Sequence, residues 1–183
     1  MSTPDASSTN GTAIVVRPAS AGDAGRLSLI SNATFLETFA GQIAGEALMA
    51  HCATKHTPDF LAGLLANGAK AWLAELDDAP VGYALLTPPE LDAAQQGDIE
   101  LKKIYVLSRF HGGGLARDLL SAALAGAAGH RRLLLGVKAD NARAIAFYEK
   151  HGFERIGTRR FDVGGKLYDD FVFARDLTLE PTI

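Results

Sequence analysis

Cysteine is almost absent from the sequence, since Cys52 is the only one among 183 residues. A single cysteine excludes an intrachain disulfide, and a chain without disulfides suits a reducing compartment, so we expect a cytoplasmic protein. Cys52 lies in the stretch LMAHCATKH, which supplies no catalytic partner in the pattern of a thiol nucleophile. We therefore interpret it as a small packing residue and expect no covalent catalysis through it.

Excess charge and long apolar runs are also missing. The net charge at pH 7 is -3, from 18 Lys and Arg against 21 Asp and Glu. This balance argues against a nucleic-acid-binding protein, because phosphates need a basic surface. No apolar stretch approaches the roughly 18 residues of a membrane-spanning helix, so we expect no membrane partner. Residues 1–12, MSTPDASSTNGT, are polar and lack the apolar segment of a signal peptide, so we expect a disordered tail before a single domain over residues 13–179.

Hydrophobic patterns and turn residues predict a mixed α/β protein. We predict strands in AIVVRPA, KAWLAEL, PVGYALLT, DIELKKIYVL, RLLLGVKA, FERIGTRRFDV and KLYDDFVFARDL. We predict helices from Ser20 to Phe39, in AGEALMAHC, after the cap Thr57 and Pro58, in LARDLLSAALAGAA, and in NARAIAFYEKHG. The last two strands form a predicted hairpin across Gly164 and Gly165. This order is typical of a mixed sheet with helices on both faces.

Three glycines stand in a row between an apolar strand and a helix, in RFHGGGLARDLL. A Walker loop is excluded, because Leu115 and Ala116 follow Gly114 where that loop needs Lys and Ser or Thr. An esterase-type oxyanion hole needs the pattern G-x-S-x-G, which does not occur. Two interpretations stay open: a plain tight connection, and an anion cradle of bare backbone N–H groups at a helix N-terminus. Arg117 follows in the first helical turn, where the helix dipole disfavours a cation, so it either meets a bound anion or reaches solvent.

The stretch from this strand through the glycine loop resembles the coenzyme A motif of the GNAT acetyltransferase superfamily. That motif runs Q/R-x-x-G-x-G/A, and here it reads HGGGLA, with His111 in place of Gln or Arg. A second stretch, LGVKADNARAIAFYEKHGFERIG, resembles the other hallmark of the superfamily, and the likeness runs from about Trp72 to Leu177. TFLETFAG, EALMAHC, ELKKIYV and YDDFVF also resemble the spermidine/spermine acetyltransferase branch of the PaiA type.

The resemblance implies a fold and a co-substrate. The fold is a mixed, mostly antiparallel sheet of about seven strands, with a splay between Glu100–Leu107 and Arg132–Ala139. The co-substrate is acetyl-CoA, and no metal is expected, since the histidines show no ligand spacing with one another or with Cys52. The residues that the resemblance assigns to acetyl-CoA are Ile104, Tyr105, Val106, His111, Gly112, Gly113, Gly114, Leu115, Ala116, Arg117, Asn141 and Tyr148.

Asn141 and Tyr148 are seven residues apart, which places them on one face of a helix with about 3.6 residues per turn. A ligand lying along that face can meet both. The resemblance implies that the Asn141 side chain contacts the coenzyme A arm and that the Tyr148 hydroxyl protonates the leaving thiolate. The alternatives are a helix N-cap for Asn141, which is compatible with the first role, and a half-buried core aromatic for Tyr148.

The strand ELKKIYV is expected to carry the other half of the chemistry. The resemblance implies that the pantetheine arm pairs with the exposed backbone of Ile104 to Val106, and that the Val106 N–H stabilises the tetrahedral oxyanion. Strand alternation predicts that Glu100 shares a face with Ile104, which makes it the candidate general base, directly or through water. The alternative for Glu100 is a surface carboxylate paired with Lys102 or Lys103. Elsewhere in the superfamily a base can come from the following strand, where this chain has Gly136.

The acceptor is expected to be a small amine that attacks acetyl-CoA directly in a ternary complex. Glu90, Asp92 and Asp98 suggest a cationic amine such as a polyamine, in a pocket between the early helices and the loop Thr87–Asp98. His56 also lies in a region that lines the acceptor pocket in such proteins. The alternatives are a protein N-terminus or lysine as acceptor, and a non-catalytic acyl-CoA-binding regulatory domain. The sequence leaves monomer and homodimer open.

Overall fold

The structure is a computed structural model, and it describes residues 13–163 and 166–178. The predicted disordered tail and the turn at Gly164 and Gly165 lie outside the described residues. The strands are β1 (Val15–Ala19), β2 (Lys70–Leu76), β3 (Ala79–Thr87), β4 (Asp98–Val106), β5 (Arg132–Lys138), β6 (Glu154–Val163) and β7 (Lys166–Asp176). The α-helices are α1 (Ala24–Phe39), α2 (Gly45–Lys55), α3 (Pro58–Ala66), α4 (Leu115–Gly126) and α5 (Ala142–Lys150).

One seven-stranded sheet runs through the described chain in the order β1-β2-β3-β4-β5-β7-β6. Every neighbouring pair is antiparallel except β4 and β5, which are parallel. These two strands pair only where Asp98–Glu100 meets Arg132–Leu134, and they diverge beyond that point. The predicted fold is therefore confirmed, including the splay between the fourth and fifth strands.

Helices cover both faces of the sheet, as predicted. The face that packs on α1 and α3, here called the α1 face, contains Leu73 and Tyr83. The opposite face packs on α4 and α5 and is here called the α4 face; it contains Trp72 and Leu133. Successive strand residues point to opposite faces, so strands covered on both sides are apolar without interruption, which accounts for the unbroken burial of Ala71 to Ala74.

Local signals set several of the boundaries. The Thr57 hydroxyl accepts the Phe60 N–H at 3.2 Å, Pro58 occupies the first turn of α3, and Gly68 follows the helix with φ +91°. Between β2 and β3 the chain turns through Asp77 and Asp78, both with positive φ. The predicted elements agree with the structure to within a few residues at each end.

A β-bulge interrupts β4 where the strand approaches the splay. Lys103 pairs with Leu85 while Leu101 pairs with the next residue of β3, so Lys102 has no partner of its own. The extra residue reverses the alternation, because Leu101 and Ile104 both pack on the α4 face although three residues separate them. The prediction that Glu100 shares a face with Ile104 is therefore wrong. Glu100 lies on the α1 face, together with Lys103 and Tyr105.

Candidate active site

A cavity of about 500 Å³ opens where β4 and β5 diverge. Its walls come from α1 and α2 on the α1 face, from the diverging strands, from the start of α5, and from β6 and β7. The cavity brings together two groups of sequence-predicted residues, which are Ile104 and Tyr105 on β4 and Asn141 and Tyr148 on α5. Glu100 also lies in its wall.

The glycine loop ends in the left-handed backbone that only glycine adopts readily. Gly112 and Gly114 have φ values of +84° and +86°, and Gly114 is the residue that caps α4. The N–H groups of Gly112, Gly113 and Gly114 donate to none of the described residues. Unpaired N–H groups at a helix N-terminus form a favourable site for an anion, so the loop fits the phosphates of coenzyme A.

The residues after the loop divide into packing and exposed groups. The Leu115 side chain is buried and that of Ala116 is half-buried, and both pack on the core of the α4 face, so only their N–H groups can face a ligand. The Arg117 side chain is 64% exposed and pairs with Asp118 at 2.9 Å. Its guanidinium lies beside Gly114, so it is placed to reach an anion held at the N-terminus of α4.

His111 connects the end of β4 to the start of α5. Its Nδ1 lies 2.8 Å from Nη1 of Arg143, and its Nε2 lies 2.8 Å from the carbonyl oxygen of Val106. Because arginine can only donate, Nδ1 accepts and the Nε2–H donates to Val106. The backbone N–H of His111 is also used, since it donates to Ser108 at 3.0 Å. A direct contact between His111 and acetyl-CoA therefore stays a prediction, whereas its contact with Val106 is present.

The backbone of β4 presents alternate residues to the splay. The Leu107 N–H donates to Val81 of the neighbouring segment at 3.0 Å. In an antiparallel ladder every second residue faces the same partner, so the backbone groups of Tyr105 also face β3. The N–H groups of Ile104 and Val106 then point toward the gap. Of the three residues predicted to pair with the pantetheine arm, Ile104 and Val106 are placed to do so, and Tyr105 contributes its ring to the cavity wall instead.

Asn141 and Tyr148 lie on one face of α5, as their spacing predicts. The Asn141 side-chain oxygen accepts the Ala144 N–H at 3.1 Å, which confirms the N-cap. The NH2 group of the Asn141 side-chain amide is left for a ligand. Tyr148 is buried against Phe153, and its hydroxyl bonds to none of the described residues. Burial, with Tyr105 nearby, raises the pKa of Tyr148, so the phenol keeps its proton at neutral pH and can donate it.

Glu100 is 1% exposed. Its Oε2 accepts the Glu90 N–H at 2.8 Å, and its Oε1 lies 3.5 Å from the Lys102 ammonium. The predicted alternative for Glu100 is a surface carboxylate paired with Lys102. The pair is present, but the Glu100 carboxylate is buried. Because both oxygens are engaged, proton transfer to Glu100 requires a water or a change of partner, and its role as base stays a prediction.

The acidic residues that suggested a cationic acceptor are largely neutralised. Glu90 lies 2.6 Å from the Lys102 ammonium, and Asp98, whose side chain is fully buried, lies 2.6 Å from Arg132. Residues Thr87–Asp98 do not line the cavity, so the predicted pocket between that loop and the early helices is wrong. The loop folds instead against Leu134 and β7 through Leu91.

Sequence reasoning missed several cavity residues, among them the ionisable Lys103, Arg159 and His51. Lys103 needed the β4 bulge to face the cavity, and Arg159 reaches it from β6, far along the chain. Burial, with Lys103 and Lys55 nearby, lowers the pKa of His51, so its ring is neutral at neutral pH. His56 does not line the cavity; it is 2% exposed, packs edge-on to the Phe35 ring, and its pKa falls to about 4 through burial.

Cys52 is buried with Phe35, Ile43 and Leu48, and burial raises the pKa of its thiol. Both observations agree with a packing role, since a nucleophilic thiol needs a lowered pKa. Within the described ranges, no group of three or more His, Cys, Asp or Glu side chains is placed to hold a metal ion. None of the helices in the same ranges has the length and apolar character that crossing a bilayer requires.

Several known proteins similar to this chain are named acetyltransferases. Residues 39–153 match the family described as the acetyltransferase (GNAT) family. An uncharacterized N-acetyltransferase of Mycobacterium tuberculosis (strain ATCC 25618 / H37Rv) is 35% identical over 158 residues, which make up 85% of this chain and 98% of that protein.

Two solved structures illustrate the likeness in fold. The PaiA N-acetyltransferase from Thermoplasma acidophilum, in complex with coenzyme A, has a TM-score of 0.73 at 20% identity and covers 90% of this chain and 99% of its own. A ribosomal-protein-alanine N-acetyltransferase from Brucella melitensis has a TM-score of 0.69 at 28% identity, covering 88% and 99%.

Proposed function

Because this chain belongs to the GNAT acetyltransferase family, we propose that it transfers the acetyl group of acetyl-CoA to a small-molecule amine by direct attack in a ternary complex. One observation carries the proposal. The Tyr148 hydroxyl and the splayed backbone of Ile104 line the same cavity, and the glycine loop with its unpaired N–H groups lies at the end of β4 that borders it. We further propose action in the cytoplasm, as a monomer or homodimer.

Acetyl-CoA binds along the path that these groups define. Its pyrophosphate lies on the N–H groups of Gly112 to Gly114 and on the N-terminus of α4. The pantetheine arm enters the splay and pairs with Ile104 and Val106 in place of a missing strand, while the Asn141 amide contacts it from α5. This path approaches from the α4 side, so the acceptor amine reaches the thioester from the α1 face, where α1 and α2 form the wall.

The reaction then needs three groups. As the amine nitrogen bonds to the thioester carbon, negative charge develops on the carbonyl oxygen and the Val106 N–H stabilises it. When the C–S bond breaks, sulfur takes the electron pair and the Tyr148 hydroxyl supplies a proton to it. The His111 Nε2–H donates to the Val106 carbonyl oxygen, which belongs to the next peptide unit, so this bond orders the strand beside the oxyanion donor.

The third group removes a proton from the amine, whose pKa in water is about 10.4. Glu100 is the proposed base, acting through a water because its oxygens are engaged by Glu90 and Lys102. His51 is the rival, since it is a neutral imidazole in the same cavity.

The acceptor itself is open to test. A polyamine stays among the acceptors to be tested through the PaiA likeness, although two of the three acids that suggested it, Glu90 and Asp98, are paired. A protein N-terminus also stays in the panel, because the B. melitensis neighbour is named a ribosomal-protein-alanine N-acetyltransferase. A non-catalytic acyl-CoA-binding domain would not need a Tyr148 hydroxyl that is free of hydrogen bonds to the described residues, nor a cavity beside that hydroxyl. We therefore favour this alternative less.

Release of free coenzyme A thiol, measured across a panel of amines and peptides, tests the proposal. We expect Tyr148→Phe to lower kcat by roughly 100-fold or more while acetyl-CoA affinity changes little, because a general acid contributes about that much. Tyr83→Phe is the matched control, since it removes a buried hydroxyl that does not line the cavity. Absence of thiol release with every acceptor would refute the proposed function, and full activity of Tyr148→Phe would refute its role as acid.

A further inference from the structure

The Lys103 ammonium is the unpaired charge in the cavity wall. Among the described residues it has no hydrogen bond and no ion pair, and its Nζ lies 5.6 Å and 5.9 Å from the ring centres of Phe35 and Tyr105. Burial, with Lys102 and Arg159 nearby, lowers its pKa to about 8, so most of the group is still charged at pH 7. Aromatic faces stabilise such a cation only partly, and a half-buried cation that faces a cavity is a favourable partner for an anion.

The other cations of the cavity wall already have carboxylate partners. Lys102 lies 2.6 Å from Glu90, and Lys138 lies 2.9 Å from Asp140. The remaining one, Arg159, bonds to Asp170 at 3.1 Å. An incoming cation would therefore find no free carboxylate among these pairs, whereas an incoming anion would find Lys103.

Arg159 adds to this preference because of the place it occupies. Its guanidinium crosses β5 at Gly136, where a side chain would displace it: a Cβ on Gly136 would lie 2.6 Å from Nη2. The guanidinium bonds to Asp170 through Nε and Nη2, which leaves the Nη1 donors for another acceptor. Gly136 thus leaves room for a second cation, Arg159, at the cavity.

We propose that the acceptor amine also carries a carboxylate, as in an amino acid, and that Lys103 binds this carboxylate with support from Arg159. The inference rests on the proposed function, since it names the class of amine that the site acetylates. Lys103 lies three residues before Val106, or about 10 Å along an extended strand, and its own side chain spans part of that distance. A small amino acid therefore fits between the ammonium and the thioester carbon next to the Val106 N–H.

The test compares each common amino acid with its carboxamide, which keeps the amine and removes only the charge. Thiol release gives kcat/KM for each pair, expressed per concentration of neutral amine, because the amide lowers the pKa of its amine. Spermidine is included as the cationic competitor. We expect the preferred amino acid to exceed both its carboxamide and spermidine by roughly 10-fold or more, since a charge-assisted hydrogen bond to a buried group supplies about that discrimination.

Variants of the lysine then identify the group responsible. Lys103→Met keeps the length and apolar stem, and we expect it to lower kcat/KM for the carboxylate substrate roughly 10- to 100-fold through KM, with less than about a threefold change for the carboxamide. Lys103→Arg keeps the charge and should retain the preference. Lys150→Met is the control, because Lys150 is exposed and does not line the cavity.

Three outcomes overturn the inference. Equal rates with acids and carboxamides would remove the need for an anion site. If Lys103→Met lowers kcat for the amino acid and for its carboxamide alike, the lysine acts as a base and not as an anchor. If no amine releases thiol, the proposed function fails on its own; calorimetric binding of amino acids to the protein saturated with coenzyme A still tests the anchor, and equal binding to Lys103→Met would refute it.

Discussion

Gly114→Val tests whether the glycine loop is a phosphate cradle or an ordinary turn. Gly114 has φ +86°, and a Cβ built on it would lie 3.0 Å from Nη2 of Arg117. The Arg117 side chain is flexible and exposed, so it can move away. The new valine side chain would still lie beside the N-terminus of α4. A phosphate could then no longer approach the bare N–H groups of the loop.

The size of the effect follows from the bonds at stake. A hydrogen bond to a charged group contributes about 1.5–3 kcal/mol, so loss of two of them lowers coenzyme A affinity by at least ~3 kcal/mol, or roughly 100-fold. The left-handed backbone adds a strain of about 1–2 kcal/mol to the folded state of any non-glycine residue. Gly68→Val is the control for that strain, because Gly68 has φ +91°, has open space around it and lies outside the cavity wall.

Isothermal titration with coenzyme A separates the two contributions. Both variants should lose a similar amount of thermal stability, while only Gly114→Val should lose affinity. If a folded Gly114→Val protein binds coenzyme A as tightly as the parent, the phosphates do not lie on this loop and the cradle is the wrong interpretation. If Gly68→Val loses affinity as well, strain and not access explains the result.

Two further predictions concern titrating groups. Glu100→Gln should lower kcat roughly 100-fold, whereas His51→Gln should stay within about threefold; the reverse order would move the base to His51. Hydrogen bonds from Arg17 and from the Ser20 N–H hold the pKa of Asp23 well below its usual range, so this carboxylate contributes stability above its unfolded pKa of about 3.9 that is lost as pH falls below it. The free energy of unfolding, measured by chemical denaturation, should therefore decline from pH 7 to pH 3. Asp23→Asn should be less stable than the parent by about 1–3 kcal/mol at pH 7 and should show a smaller decline. The same decline in both proteins would contradict the assignment.

Elements whose signals are local could be predicted from the sequence. The Thr57 cap, Pro58 in the first turn and Gly68 after the helix act within one helix, so their meaning does not depend on the rest of the chain. Asn141 behaves in the same way, since its capping bond reaches only to Ala144. The splay required the family resemblance, because no local pattern states that two parallel strands pair for three residues and then separate.

The remaining features are set by contacts between distant segments. The partner of Asp98 is Arg132, and without that pair the loop acids look like an attractive surface for a cation. Arg159 enters the cavity only because Gly136, on another strand, leaves room for it. Neither relation has a sequence spacing that elementary rules could detect, so the charge of the cavity could not be read from a net charge of -3.

In the proposed reaction one strand, β4, serves both substrates, and the β4 bulge makes this possible. Without it, strict alternation would put Lys103 on the same face as Leu101, which is the α4 face, and residues 100, 102 and 104 would share the other face. With Lys102 as the extra residue, Lys103 and Tyr105 turn to the α1 face, the proposed side of acceptor approach, while Ile104 and Val106 keep their backbone N–H groups in the splay. In the proposed reaction the side chains of the strand recognise the amine and its backbone recognises the thioester, so we expect a change of acceptor to need only side-chain substitutions and to leave the acetyl-CoA path intact.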